Sequence, residues 1–195
     1  MTIRRIHPLR LLAIPLFMLA LTLITGSAAF ADSNPGSTVV NGAGSVTEAM
    51  TAPTIPAVTL AGIDQSINYT LPTTVVDATG TGNGWNLTIT STTFTTGGGS
   101  PHTLPASAST ITSVAAACVT GTSTCTNPTN AVTYPLALPA GATAPTAAKF
   151  FDAAANTGMG KFTITPTIGI AIPANTYASA SGYSSTITVA VVSGP

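Results

Sequence analysis

Charge is nearly missing from this chain: five Lys and Arg and five Asp and Glu stand among 195 residues. Folded surfaces are usually about a quarter or more charged, so other groups must keep this one wet. Three of the cations, Arg4, Arg5 and Arg10, sit at the front of "MTIRRIHPLRLLAIPLFMLALTLITGSAAFA". An apolar run over residues 11–24 follows, then small residues with Ala29-Phe30-Ala31 as an A-x-A cleavage site. That is the pattern of a secretory signal peptide. The run is short for a membrane anchor, which needs about 20 apolar residues. Residues 1–31 are therefore expected to be removed, leaving 164 residues from Asp32 onward. Only Lys149 and Lys161 then face Asp32, Glu48, Asp64, Asp77 and Asp152, a net charge of −3. Two cations cannot neutralise a nucleic-acid backbone, nor can they form a basic patch for a membrane surface. No later segment is apolar enough to span a bilayer.

Groups that do chemistry are as scarce. His102, in the loop "GGGSPHTLPAS", is the one histidine after the leader. It reads as a solvated loop residue rather than a catalytic one, because no serine lies in a G-x-S-x-G elbow. The acids form no close pair for acid–base work and no EF-hand spacing. The glycines of "TGTGNG" precede a strand, not a helix, so they supply the positive φ of a turn rather than a phosphate cradle. Asn68-Tyr69-Thr70 and Asn86-Leu87-Thr88 are glycosylation sequons by spelling only. An enzyme is not expected, nor any cofactor or metal. Cys118 and Cys125, in "AAACVTGTSTCTNP", are the two cysteines. In an exported chain such a pair predicts a disulfide. The rival readings, a metal site or a redox pair, lack the zinc spacing and the C-x-x-C that they need.

What the chain has in quantity is threonine, about a fifth of the residues after the leader, with much Ala, Ser, Gly and Val. Hydroxyls take over the wetting, and β-branched side chains favour strands over helices. Residues 32–56 are loose in pattern: a flexible leader, or a segment holding one short strand. From Ala57 strand-like runs recur: "AVTLAG", "TTVVDA", "WNLTITSTTF", "STITSVAAAC", "NAVTYPLALPA", "KFFDAA", "KFTITPTIGIAIPA" and "YSSTITVAVV". Phe162, Ile164, Ile168, Ile170 and Ile172 share one parity, as do Ile187, Val189 and Val191, which predicts one buried and one solvated face. "KFFDAA" and "KFTITPTIGIAIPA" read as a hairpin across residues 149–172. Pro135, Pro139 and Pro166 are expected at edges or bulges. Seven or eight such strands predict an all-β domain over residues 57–195, a two-sheet antiparallel β-sandwich of Ig-like or Greek-key type.

Trp85 is the one tryptophan, and it opens the run "WNLTIT" in step with Leu87 and Ile89. It reads either as a core anchor that fixes the strand after a loose turn, or as an aromatic face for a sugar ring. The stretch "VVDATGTGNGWNLTIT", with Trp-x-Leu at residues 85–87, resembles the proximal motif of the WxL domain of Gram-positive surface proteins. The ending "GYSSTITVAVVSGP" is similar to that domain's tail, with Tyr183 leading into the last strand. The family pattern has a second Trp-x-Leu in that strand, where this chain has Val189 and Val191. The chain contains no LPxTG sorting signal. The resemblance implies a secreted protein held noncovalently on the cell wall, with peptidoglycan as its first partner and other cell-surface proteins second. It points to Trp85, Asn86, Leu87 and Tyr183 as ligand-contacting residues. The competing class is a structural subunit of a surface layer or pilus-like assembly, which a Thr-rich, charge-poor chain suits equally.

Overall fold

Alternating apolar residues give the described part of this chain its strands. The computed structural model describes residues 40–42, 44–121 and 124–195; the expected signal peptide lies outside them. The chain from Asn41 to Pro195 forms one compact unit. Its strands are β1 (Val46–Met50), β2 (Gln65–Thr70), β3 (Thr73–Asp77), β4 (Trp85–Thr92) and β5 (Ser109–Cys118), followed by β6 (Leu136–Ala137), β7 (Ala140–Gly141), β8 (Ala148–Ala153), β9 (Gly160–Ile172) and β10 (Ile187–Ser193). One sheet runs β1-β3-β9-β5-β6, with β2 also paired to β9; the other runs β10-β4-β7, with β8 also paired to β4. Pairing is antiparallel except for the short β4–β7 contact. The expected all-β, two-sheet sandwich is what forms. β1 lies inside the segment read as a leader and pairs with β3.

The core is the meeting of two rows. From β9 come Phe162, Ile164, Ile168, Ile170 and Ile172, and from β4 come Trp85, Leu87 and Ile89, all buried. The threonines between the β9 isoleucines stay half-buried on the outer face. Burying these side chains removes on the order of 1.5–3 kcal/mol of unfavourable hydration each. β8 adds both Phe150 and Phe151. Two neighbours can point inward because β8 bulges opposite the step from Leu87 to Thr88, where Phe150 is the extra residue.

Three details depart from the sequence reading. First, residues 149–172 are not a hairpin: β8 pairs with β4 in one sheet and β9 with β2, β3 and β5 in the other. The turn residues do reverse the chain, through positive φ at Asn156, Gly158 and Gly160. The backbone of this link is bonded elsewhere, however. Gly158 N–H donates to Thr126 O (2.8 Å), and Thr126 N–H donates to Met159 O (3.0 Å). The link therefore crosses between the sheets.

Second, Pro166 is fully buried in the central strand β9, not at an edge. β2 and β3 run in succession along the same side of β9, meeting it up to Thr167 and from Ile164 respectively. The Pro166 carbonyl accepts from Leu71 N–H (3.1 Å) in the gap between them. In an antiparallel ladder a residue's N–H and C=O point the same way. The missing N–H thus faces the one break in the neighbouring ladder. Pro135 and Pro139, by contrast, flank the edge strand β6 as expected.

Third, "AVTLAG" forms no strand, although Val58 and Leu60 pack against the core; β2, polar in spelling, takes the place beside β9. A side-chain network stands in for a ladder before β6. Asp152 Oδ1 accepts from Ala131 N–H (2.8 Å), and Asn130 Oδ1 accepts from Asp152 N–H (3.0 Å). Tyr134 O–H donates to the Phe150 carbonyl and accepts from Asn130 Nδ2 (3.0 Å). Burial raises the Tyr134 pKa.

Candidate binding surface

The Trp-x-Leu motif is built inward. Trp85 and Leu87 have no exposed surface, and the indole stacks on Phe151 with ring centroids 5.7 Å apart. Its Nε1–H donates to the Gly158 carbonyl (2.9 Å) in the inter-sheet link. With no atoms reaching solvent, neither residue presents itself to a ligand in this structure; of the two readings of Trp85, the core anchor describes its position. Asn86 points the other way, and its Nδ2 donates to the Gly194 carbonyl (2.8 Å). Gly194 N–H in turn donates to Gly84 O (3.0 Å). The two motifs at the ends of the resemblance are thus neighbours in space, with β10 lying on β4 and Val191 opposite Leu87.

The expected disulfide is present: Cys118 and Cys125 are bonded, with Cα atoms 6.0 Å apart. It clasps the end of β5 over the start of β9, where Cys118 pairs with Phe162. Gly160, at φ 109°, lies beneath it; a Cβ there would come within 3.2 Å of Cys125 Sγ.

Tyr183 is the sequence-chosen residue that opens onto a cavity. It lies between two grooves of about 360 and 800 Å3, both of which it lines together with Leu104, Thr176 and Tyr177. Trp85, Asn86 and Leu87 line neither groove. The smaller groove adds His102, and the larger is walled by the segments at residues 55–60 and 176–183 over Phe94, Ile170 and Ile172. Tyr177 stands up between the grooves, 64% exposed. Its ring lies flat on His102, centroids 3.9 Å apart and planes within 8°.

Short hydrogen bonds hold these rings in place. Tyr183 O–H donates to Tyr177 O (2.8 Å). Thr95 and Ser184 exchange backbone bonds of 2.9 Å each. Thr96 N–H donates to His102 O, and His102 N–H donates to Thr96 Oγ1, both at 3.0 Å. Sequence reasoning passed over Tyr177 and treated His102 as a plain loop residue. The signal available was "NTYASASGY", two tyrosines six residues apart in a loop of small residues. Such rings offer large contact area at low entropic cost.

Among the described residues no three His, Cys, Asp or Glu side chains gather to hold a metal ion, and no helix is long and apolar enough to cross a membrane. The described residues thus form an all-β sandwich that carries two grooves beside Tyr177 and Tyr183. A family model matches residues 43–195, and its description is WxL domain surface cell wall-binding. The chain belongs to that family. It is a class of cell-surface, wall-binding domains, non-catalytic in general. Comparisons with curated proteins and with solved structures found no match.

Proposed function

We propose that this protein is exported, loses residues 1–31, and is held noncovalently on the cell wall by peptidoglycan. The observation that carries the reading is the family match, which spans the whole sandwich including both sequence motifs. The near absence of charge supports it, because adhesion must then come from hydroxyl-rich and aromatic surface. The chain from Asp32 onward is expected to co-sediment with purified Gram-positive walls and to be released by denaturant without any covalent cleavage. Binding is expected to persist in raised salt, since screening removes little where few charges act. A folded protein that stays in the supernatant with every wall preparation overturns the reading.

A further inference from the structure

We propose that the ridge of Tyr177, His102 and Tyr183, with the two grooves it divides, is a glycan-binding site. Its ligand class is the uncharged polysaccharide strand of the wall, a chain of N-acetylhexosamine rings. This rests on the wall-binding reading and assigns it a place on the surface.

The first argument is the exposure of Tyr177. A large aromatic side chain that is 64% exposed forgoes burial worth on the order of 1.5–3 kcal/mol. It is not loosely placed, because the His102 ring lies on one of its faces and the Tyr183 hydroxyl holds its backbone. Thr96 holds His102 directly, and Thr95 holds Ser184, the residue next to Tyr183. A ring held in this way yet largely exposed is already arranged for stacking, so little further ordering is needed on binding. A pyranose ring presents axial C–H bonds on one side and hydroxyls at its rim. The C–H side fits the negative face of the tyrosine ring.

The second argument is charge. Among the described residues, no Asp, Glu, Lys or Arg lines either groove. Anionic phosphate polymers and charged stem peptides would be desolvated here without a counter-charge, which is unfavourable. A neutral glycan meets no such cost. Its hydroxyl and acetamido groups find side chains of matching type in Thr103, Asn175, Thr176, Ser179 and Ser181, all on the groove walls. The third argument is shape. The larger groove, about 800 Å3, has the size of ligand clefts, and it shares Leu104, Thr176, Tyr177 and Tyr183 with the smaller one as common walls. An extended strand can therefore lie across Tyr177 with rings on either side.

The test uses the chain from Asp32 onward with two probes: a β-1,4-linked N-acetylglucosamine hexamer in solution, and purified walls. In nuclear magnetic resonance spectra the hexamer is expected to shift the signals of Tyr177, Tyr183 and His102 and to leave Trp85 unmoved. Tyr177→Ala is expected to weaken both hexamer and wall binding by about tenfold or more, with the thermal melt unchanged because the side chain is exposed. Tyr177→Phe keeps the stacking face and is expected to retain binding. If wild type and Tyr177→Ala sediment equally with walls, the site lies elsewhere and this inference falls while the wall-binding reading stands. If wild type binds the hexamer at Tyr177 but no wall, the glycan site stands and the wall-binding reading falls. Loss of wall binding on stripping anionic polymers, with no hexamer shifts, overturns the choice of a neutral glycan.

Discussion

The indole of Trp85 and the backbone of Gly158, 73 residues apart in sequence, are joined by one hydrogen bond of 2.9 Å. That bond ties the first strand of one sheet's core to the link that carries the chain into the other sheet. Gly158 has to be glycine for it. Its φ is 71°, and a Cβ would come within 2.5 Å of the Ala153 Cβ and 2.8 Å of Trp85 Nε1.

Gly158→Ala is accordingly expected to cost about 2–4 kcal/mol, from left-handed backbone strain and overpacking together. Trp85→Phe is expected to cost a similar amount, because it opens a void and leaves the Gly158 carbonyl buried without its donor. The two changes share a contact, so their costs do not add. With the indole gone, Gly158→Ala loses one of its two clashes. Denaturant midpoints of the single and double variants measure this, and strict additivity would show that the contact carries no weight.

The Cys118–Cys125 bond closes a short loop over Gly160 and the first residues of β9. The chain-entropy model assigns such a loop about 2.5 kcal/mol. Intact-mass measurement with and without reductant is expected to show no alkylation of the native protein and two alkylated thiols after reduction. The Cys118→Ala, Cys125→Ala double variant should fold with a lowered denaturant midpoint. Two reactive thiols in the native exported protein would contradict the structure.

Much of the sandwich could be read from local pattern, and what could not was set by distant partners. The row from Phe162 to Ile172 alternates cleanly, and alternation is a property of one strand alone. Whether that strand pairs with β8 is not. Turn residues at 156–160 permit a hairpin, yet the groups that bind the link, Trp85 and Thr126, come from far along the chain. Phe150 and Phe151 break alternation because β8 bulges, and a bulge is visible only against its partner β4. Pro166 was expected at an edge or a bulge, because its place beside the Leu71 break depends on how β2 and β3 share β9. The parity of Trp85 with Leu87 and Ile89 did indicate a core position. Of the binding ridge, Tyr183 came through its resemblance to the family tail. Tyr177 and His102 did not, because they stack across 75 positions of sequence.

Tyr69 offers a test of the core itself. Its ring is 4% exposed on β2, and its hydroxyl is buried with no hydrogen-bond partner among the described residues. A phenol in that position has lost its water without a replacement, so Tyr69→Phe is expected to be neutral or stabilising by up to about 1 kcal/mol at neutral pH. The same burial pushes the Tyr69 pKa up to about 12, from 10.0. An unfolded chain releases that proton near pH 10, whereas the folded protein keeps it until about pH 12. In this window the unfolded state binds fewer protons, so stability falls as pH rises. The stabilising contribution is complete below about pH 10 and lost as pH passes through about 12. The wild type is therefore expected to lose up to about 2–3 kcal/mol across the window from this residue, and Tyr69→Phe to lose less. Tyr134, also raised by burial, keeps part of the slope in both proteins. Urea midpoints across the alkaline range, beside an absorbance titration of the phenolates, make the comparison. A variant that is destabilised at neutral pH would mean that the hydroxyl has a partner in solution, and equal alkaline slopes would mean that Tyr69 does not titrate as its burial requires.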